Sequence, residues 1–167
     1  MVSFRRSRVG RTRRGTYELR LPAAERALLV NLVDQLRELL SLTTDDPAVR
    51  RLFPTAYHED AERDREYQQL VRDELLERRL AALATVEETT FLGEVTEDQL
   101  TGWLTALNDL RLVLGTRLDV SEDDGGELEE NDPNAPALAV YGYLGFLLSE
   151  VVEALAEGLP APTETEI

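Results

Sequence analysis

Three groups of residues in this chain of 167 are of types that can do chemistry. In the run "WLTALNDLRLVLG", Asn108, Asp109 and Arg111 interrupt a series of leucines. A guanidinium among leucines either holds an anion or ties helices together, because an unpaired buried charge is very costly. His58, the sole histidine, lies in "YHEDAE" beside Glu59, Asp60 and Glu62, a set that could ligate a divalent metal. Near the N-terminus, Arg5, Arg6, Arg8, Arg11, Arg13 and Arg14 are interleaved with Phe4 and Tyr17, the mixture that grips phosphates and stacks bases.

Each group has a plainer alternative. Advancing about 100° per residue from Leu100 puts Trp103, Leu104, Leu107, Leu110, Leu114 and Leu118 in one arc. Arg111 falls inside that arc, Asn108 at its edge, Asp109 on the far side and Arg117 near the flank. Asn108 and Arg111 therefore read as a structural clamp, with Arg111 reaching an acid on a neighbouring helix or helix-terminal carbonyls. An anion site is the other reading. The His58 cluster lacks HExxH or any other metal-ligand spacing and reads as a solvated connection. The N-terminal arginines form a candidate partner-binding segment. They could also guard a hairpin edge, dock on the acidic surface of the chain itself, or contact DNA.

The elements that position these groups follow from periodicity and caps. The opening "SFRRSRVGRTRRGTYELRLP" alternates and turns on glycines, which predicts a β-hairpin over residues 1–21. Leu28, Leu29, Leu32, Val33, Leu36, Leu39 and Leu40 then make a helical stripe from Pro22 to about Leu42. Asp46 and Pro47 begin a short helix that stops before Pro54. "TAYHED" is a connection, and a long helix runs from Ala61 to about Phe91, with Gly93 beyond it. Thr96 and Gln99 form a capping box for a helix from Glu97 to about Leu118. The acidic stretch from Asp119 onward, with eight acids and no base up to Asp132, is a loop over 119–135. A last helix runs from Pro136 to Gly158, and residues 159–167 form a disordered tail.

That last helix has no charge from Ala135 to Ser149. The uncharged stretch is shorter than the roughly 20 residues a bilayer requires, which makes it a central buried helix and not a membrane span. Gly142 and Gly145 each cost about 1 kcal/mol there relative to alanine. With Tyr141 they mark a face for close helix contact, within the chain or across a homodimer.

Composition narrows the function. The net charge is −15, yet residues 1–20 carry a balance of +6 and the remainder −21. So acidic a body disfavours nucleic acid and anionic membranes. The absence of cysteine excludes disulfides, thiol catalysis and thiolate metal sites. No Walker A, G-x-S-x-G or G-x-G-x-x-G sequence occurs, and no apolar leader follows Met1.

"RLFPTAY" (Arg51–Tyr57), "WLTALNDLRLVLG" (Trp103–Gly115) and "PALAVYGYLGFLLSEVV" (Pro136–Val152), behind the entry at Tyr17–Leu29, resemble one actinobacterial family. It is catalogued as a domain of unknown function, family number 2017, and Asn108–Arg111 is the most specific part of the likeness. The resemblance implies a cytoplasmic bacterial protein without established catalysis. A branch of the family is described as an oxidative-stress regulator that senses redox state through a cysteine pair and acts with a sigma factor. A chain without cysteine cannot use that sensor, so only the partner contact, with sigma factor or RNA polymerase, carries over.

The expectation is a mainly α, four to five helix single-domain bundle over residues 1–158 with a short N-terminal β-hairpin. Its function is expected to be non-enzymatic, regulatory or adaptor-like, and exercised through protein–protein contacts. Nucleic-acid binding through the arginine-rich segment is the alternative. No catalytic residue, metal or cofactor is nominated.

Overall fold

The computed structural model describes residues 6–42, 46–53, 59–118 and 132–160, the side chains of 68 and 69 excepted. Strands β1 (Val9–Arg11) and β2 (Tyr17–Leu19) are followed by helices α1 (Ala23–Leu42), α2 (Pro47–Arg50) and α3 (Ala61–Thr89). Strand β3 (Glu94–Val95), α4 (Glu97–Arg117) and α5 (Ala135–Glu157) complete the mainly α architecture. His58 and most of the acidic loop and of the tail lie outside the described residues.

The hairpin expected around Gly10–Gly15 is present. Its register pairs Val9 with Leu19 and Arg11 with Tyr17. Gly15 takes the left-handed conformation (φ +83°) that closes the turn, where a side chain would be strained. A third strand, β3, pairs antiparallel with β2 and gives the order β1-β2-β3. Two residues are too few to show a strand period, so β3 was invisible in the sequence. Val9, Tyr17, Leu19 and Val95 bury their side chains beneath this sheet.

The helix starts follow their cap residues. The Asp46 carboxylate accepts from the Ala48 N–H at 2.8 Å, with Pro47 opening α2. Asp60 accepts from the N–H groups of Glu62 and Arg63, both at 3.1 Å. At α4 the capping box is reciprocal: Gln99 N–H donates to Thr96 Oγ1 at 3.2 Å, and Thr96 N–H donates to Gln99 Oε1 at 2.9 Å. Two orphan donors of the first turn are satisfied in this way. Helix α3 stops at Thr89, two residues short of Phe91, where the chain turns toward β3.

Helix α4 is the centre of the bundle, in contact with α1, α2, α3 and α5. Trp103 on it is fully buried, and its indole N–H donates to Thr89 Oγ1 at 2.8 Å. Thr89 donates in turn to the Thr85 carbonyl at 2.6 Å, so the polar edge of the largest core side chain is not orphaned. Helix α5 does not occupy the central place its composition suggested. It buries Leu144, Leu147, Val151 and Ala154 and leaves Ala139, Gly142, Phe146, Ser149 and Val152 exposed. Its length and mean hydropathy of 1.5 also suit a membrane span, but here it packs along one side against α4 and β1. Lack of charge signalled a contact surface without saying how much of it the chain itself covers.

Gly142 within α5 and Gly158, the residue that caps its C-terminal end, should respond oppositely to alanine. Among the described residues a Cβ on Gly142 meets nothing within 4 Å, whereas one on Gly158 would sit 2.7 Å from the buried Tyr17 hydroxyl and 3.3 Å from the Leu155 carbonyl. Gly142→Ala is expected to stabilise by up to about 1 kcal/mol through helix propensity. Gly158→Ala is expected to destabilise by about 1–3 kcal/mol through overpacking. Urea unfolding measures both, and changes of the same sign would contradict this packing.

Candidate functional site

The polar residues of α4 diverge to opposite sides of the helix. Asp109 is 1% exposed, and Arg79 of α3 donates to it, Nη1 to Oδ1, at 2.5 Å. Arg79 Nη2 donates to the Leu52 carbonyl at 2.6 Å. The next residue, Phe53, has the Arg72 guanidinium 4.7 Å and the Arg79 guanidinium 5.7 Å from its ring centroid. Two arginines two turns apart on α3 thus hold both the backbone and the aromatic ring that follow α2. The helical angles set Asp109 away from the leucine arc. On a helix with neighbours on nearly every side, that direction leads to α3 and not to solvent. Burial pushes the Asp109 carboxyl up despite the pull of Arg79. Asp109 Oδ2 and Arg79 Nε are buried without a hydrogen-bond partner among the described residues.

The expected clamp of Asn108 and Arg111 takes a different form. Asn108 is exposed. Arg111 is half-buried with its guanidinium 5.0 Å from the Tyr141 ring centroid, and among the described residues no carboxylate lies within salt-bridge distance. Its partner on the neighbouring helix is therefore an aromatic face rather than an acid. Gly115, one turn along α4, admits the same ring: a Cβ there would lie 2.9 Å from Tyr141 Cε2. Gly145 faces Arg111, whose Nε lies 3.4 Å from the Cβ position. Tyr141 and Gly145 are thus turned toward α4 within the chain, and Gly142 alone of the proposed contact face opens outward.

The N-terminal arginines divide as well. Arg8 forks onto Glu25 of α1, with Nε 3.0 Å from Oε2 and Nη2 2.8 Å from Oε1. Tyr143 of α5 donates its hydroxyl to the same carboxylate at 2.8 Å. Glu150 of α5 accepts the Arg8 backbone N–H at 2.6 Å. This cluster joins the start of the sheet to α1 and α5. The Arg8 guanidinium holds the Glu25 carboxyl below its ordinary range, and burial raises the Tyr143 hydroxyl. Arg14 pairs with Glu94 at 3.1 Å, and Thr16 donates to the same carboxylate. Arg6, Arg11 and Arg13 remain exposed without an ion pair among the described residues, and Arg5 lies outside them.

Asp109, Arg79, Arg8, Glu25 and Tyr143 turn their polar atoms onto the protein and bind one element to another. No cluster of three or more potential metal ligands occurs among the described residues. Among the outward features is the Ala139–Gly142–Phe146–Ser149–Val152 stripe of α5, an uncharged row along one helix face with Phe146 48% and Val152 49% exposed. The sequence marked this helix by its lack of charge, but it could not separate the covered side from the open one.

The family described as a domain of unknown function, DUF2017, matches residues 1–155, and the chain belongs to it. Curated relatives named "Oxidative stress regulator AosR", from Mycobacterium bovis and Mycobacterium tuberculosis, are 30% identical over 73% of this chain. The chain spans 66% of the length of these relatives, just under two thirds. No solved structure matches it.

Asp109→Ala leaves the half-buried Arg79 without its carboxylate, with the Leu52 carbonyl as its remaining hydrogen-bond partner, and is expected to cost about 2–3 kcal/mol. The double variant Arg79→Met/Asp109→Leu should recover a large part of that loss, as read by a double-mutant cycle in urea. Simple additivity would show that the pair is not coupled. For Glu25 the folded pKa is lowered, so its ionised form stabilises the fold above the ordinary value of 4.5. That contribution disappears as pH falls through the lower folded value. Below pH 4.5 the wild type should therefore lose stability more steeply than Glu25→Gln, a comparison made by thermal unfolding across pH.

Proposed function

We propose that this chain is a non-enzymatic regulatory protein that works by contact with another protein, and that the open face of α5 is the contact surface. The observation that carries the reading is the uncharged stripe of Ala139, Gly142, Phe146 and Val152 on a molecule of net charge −15. A contiguous exposed apolar stripe is a recurrent mark of a protein interface. Relatives 30% identical to this chain are named as oxidative-stress regulators, which supports a regulatory role here. Sigma factor or RNA polymerase is the partner class this reading names, with the chain acting in the cytoplasm in a transcriptional stress response. A second copy of the chain is the competing occupant of the same face.

The chain has no cysteine, so a signal would reach it by some route other than a thiol couple. The N-terminal segment contributes less to this reading than its composition suggests. Arg8 and Arg14 are engaged with Glu25 and Glu94, leaving Arg6, Arg11 and Arg13 as the exposed cations of the described hairpin. Those three are a secondary contact for an acidic partner surface.

The full chain, immobilised and exposed to extract from an actinobacterium, should retain sigma factor or RNA polymerase. Phe146→Asp places a charge in the stripe at an exposed position and should lower retention about tenfold without loss of stability, equivalent to about 1.4 kcal/mol. Arg13→Glu should have a smaller effect. Equal retention by Phe146→Asp and wild type would remove α5 from the interface, and sedimentation of the free chain as a dimer would assign the face to a second copy.

A further inference from the structure

The outward residues of α5 have the spacing of a helix-packing seam. Ala139, Gly142, Phe146, Ser149, Glu153 and Ala156 are all exposed and follow one another at intervals of three and four. At about 100° per residue they stay within one arc of about 100°. From Ala139 to Ala156 the row is roughly 26 Å long at the rise of an α-helix. It holds one bulky side chain, Phe146, 48% exposed, among small residues. Among the described residues a Cβ on Gly142 meets nothing within 4 Å, so a hole lies open one turn before that ring. Knobs of a facing helix enter such holes, and small residues allow the two axes to approach closely. The backbone groups of α5 are consumed within the helix and offer no edge to an extended strand. Another helix, with side chains at matching spacing, is what such a row can hold.

Charge restricts that helix. No basic residue occurs in α5, and its three acids, Glu150, Glu153 and Glu157, all lie in the C-terminal half. Glu150 is engaged with the Arg8 N–H. Glu153 and Glu157 are exposed and form no ion pair among the described residues. Arg11 approaches α5 at Gly158, beyond these acids, without pairing with either. At its other end α5 follows the acidic stretch 119–132, whose charge has the same sign. An acidic helix, or a second copy of a chain with net charge −15, is repelled by this face. A helix with apolar residues on one side and arginine or lysine beside them finds a partner for both kinds of group.

We infer that the outward row of α5 docks an amphipathic helix with basic flanks, its apolar side chains around Gly142 and Phe146 and its cations on Glu153 and Glu157. The inference rests on the proposal that this face is the contact surface, and it names the chemistry of the partner element. The probe is a synthetic helical peptide of about 20 residues, leucine and alanine along one face and lysine on both flanks, titrated into the full chain. Calorimetry and amide NMR should show saturable one-to-one binding, with shifts concentrated on α5. A twin peptide with glutamate for lysine should not bind. Phe146→Asp should weaken the lysine peptide about tenfold, although it adds a negative charge that non-specific attraction would reward. Glu153→Gln/Glu157→Gln should bind it about threefold more weakly than Glu38→Gln/Glu88→Gln, which removes the same charge at exposed sites on α1 and α3. All five positions are exposed, so the variants are expected to fold, and unfolding midpoints verify this. Binding of the twin, an unchanged affinity in Phe146→Asp, equal affinities of the two double variants, or shifts spread over other helices would each overturn the inference. Concentration-dependent shifts of the free chain on the same row would assign it to a second copy and overturn it too. If the lysine peptide fails while Phe146→Asp still lowers retention of sigma factor or RNA polymerase, the contact surface stands and the helical mode is refuted. If the peptide binds as expected while retention ignores Phe146→Asp, the helix site stands and the sigma-factor reading is refuted.

Discussion

Helix α4 is covered by other helices along most of its circumference, and that burial constrains everything around it. A polar side chain on a covered side of this helix must find its partner inside the protein, since water is not within reach there. Asp109 finds Arg79, and Arg79 extends the tie to the Leu52 carbonyl beyond α2. On the opposite side, Arg111 lies over Tyr141, and Gly115 gives that ring room. The short "NDLR" sequence therefore fixes α3 and the end of α2 on one side and α5 on the other. Replacing a buried ion pair by apolar groups is often harmless to stability, so its worth here lies in register: it specifies which turn of α3 meets which turn of α4.

The N-terminal sheet is fastened by the same logic at lower burial. Arg8 meets Glu25 of α1, Tyr143 joins that carboxylate from α5, and Glu150 takes the Arg8 backbone N–H at the sheet edge. An arginine-rich segment that looks in sequence like a free basic arm is thus partly consumed in holding the fold. Its neighbours Glu18 and Glu94 further neutralise it through Arg20 and Arg14. What is left for recognition is the outer apolar stripe of α5, with the exposed Arg6, Arg11 and Arg13 of the sheet as a smaller cationic surface. The stripe belongs to a helix fixed by α4, so a partner can occupy it without disturbing the buried ties.

Much of the architecture was legible in the chain. The leucine stripe of α1, the Asp46–Pro47 start, the Thr96–Gln99 capping box and the uncharged α5 are local signals, and each produced its element close to the expected ends. Strand β3 was not legible, because two residues gain strand geometry only by pairing with β2. Nor was the end of α3, which is set by the turn that delivers β3 to the sheet.

The candidate site followed the same division. The residue order singled out Arg111 and the glycines of α5 as departures from a simple apolar helix, because periodicity and residue cost are properties of one segment. Which departure carries the buried charge pair was decided elsewhere. Asp109 is buried because α3 covers the side of α4 that its own leucines do not mark, while Asn108, next to it, is exposed. Arg111 has an aromatic partner because α5 presents Tyr141 at that height, and Gly142 is open because no described element lies over it. The sequence by itself determined the helices, their caps and the faces that must be covered. Only the tertiary structure decided what covers them, since that depends on which segments distant in the chain arrive at the same place.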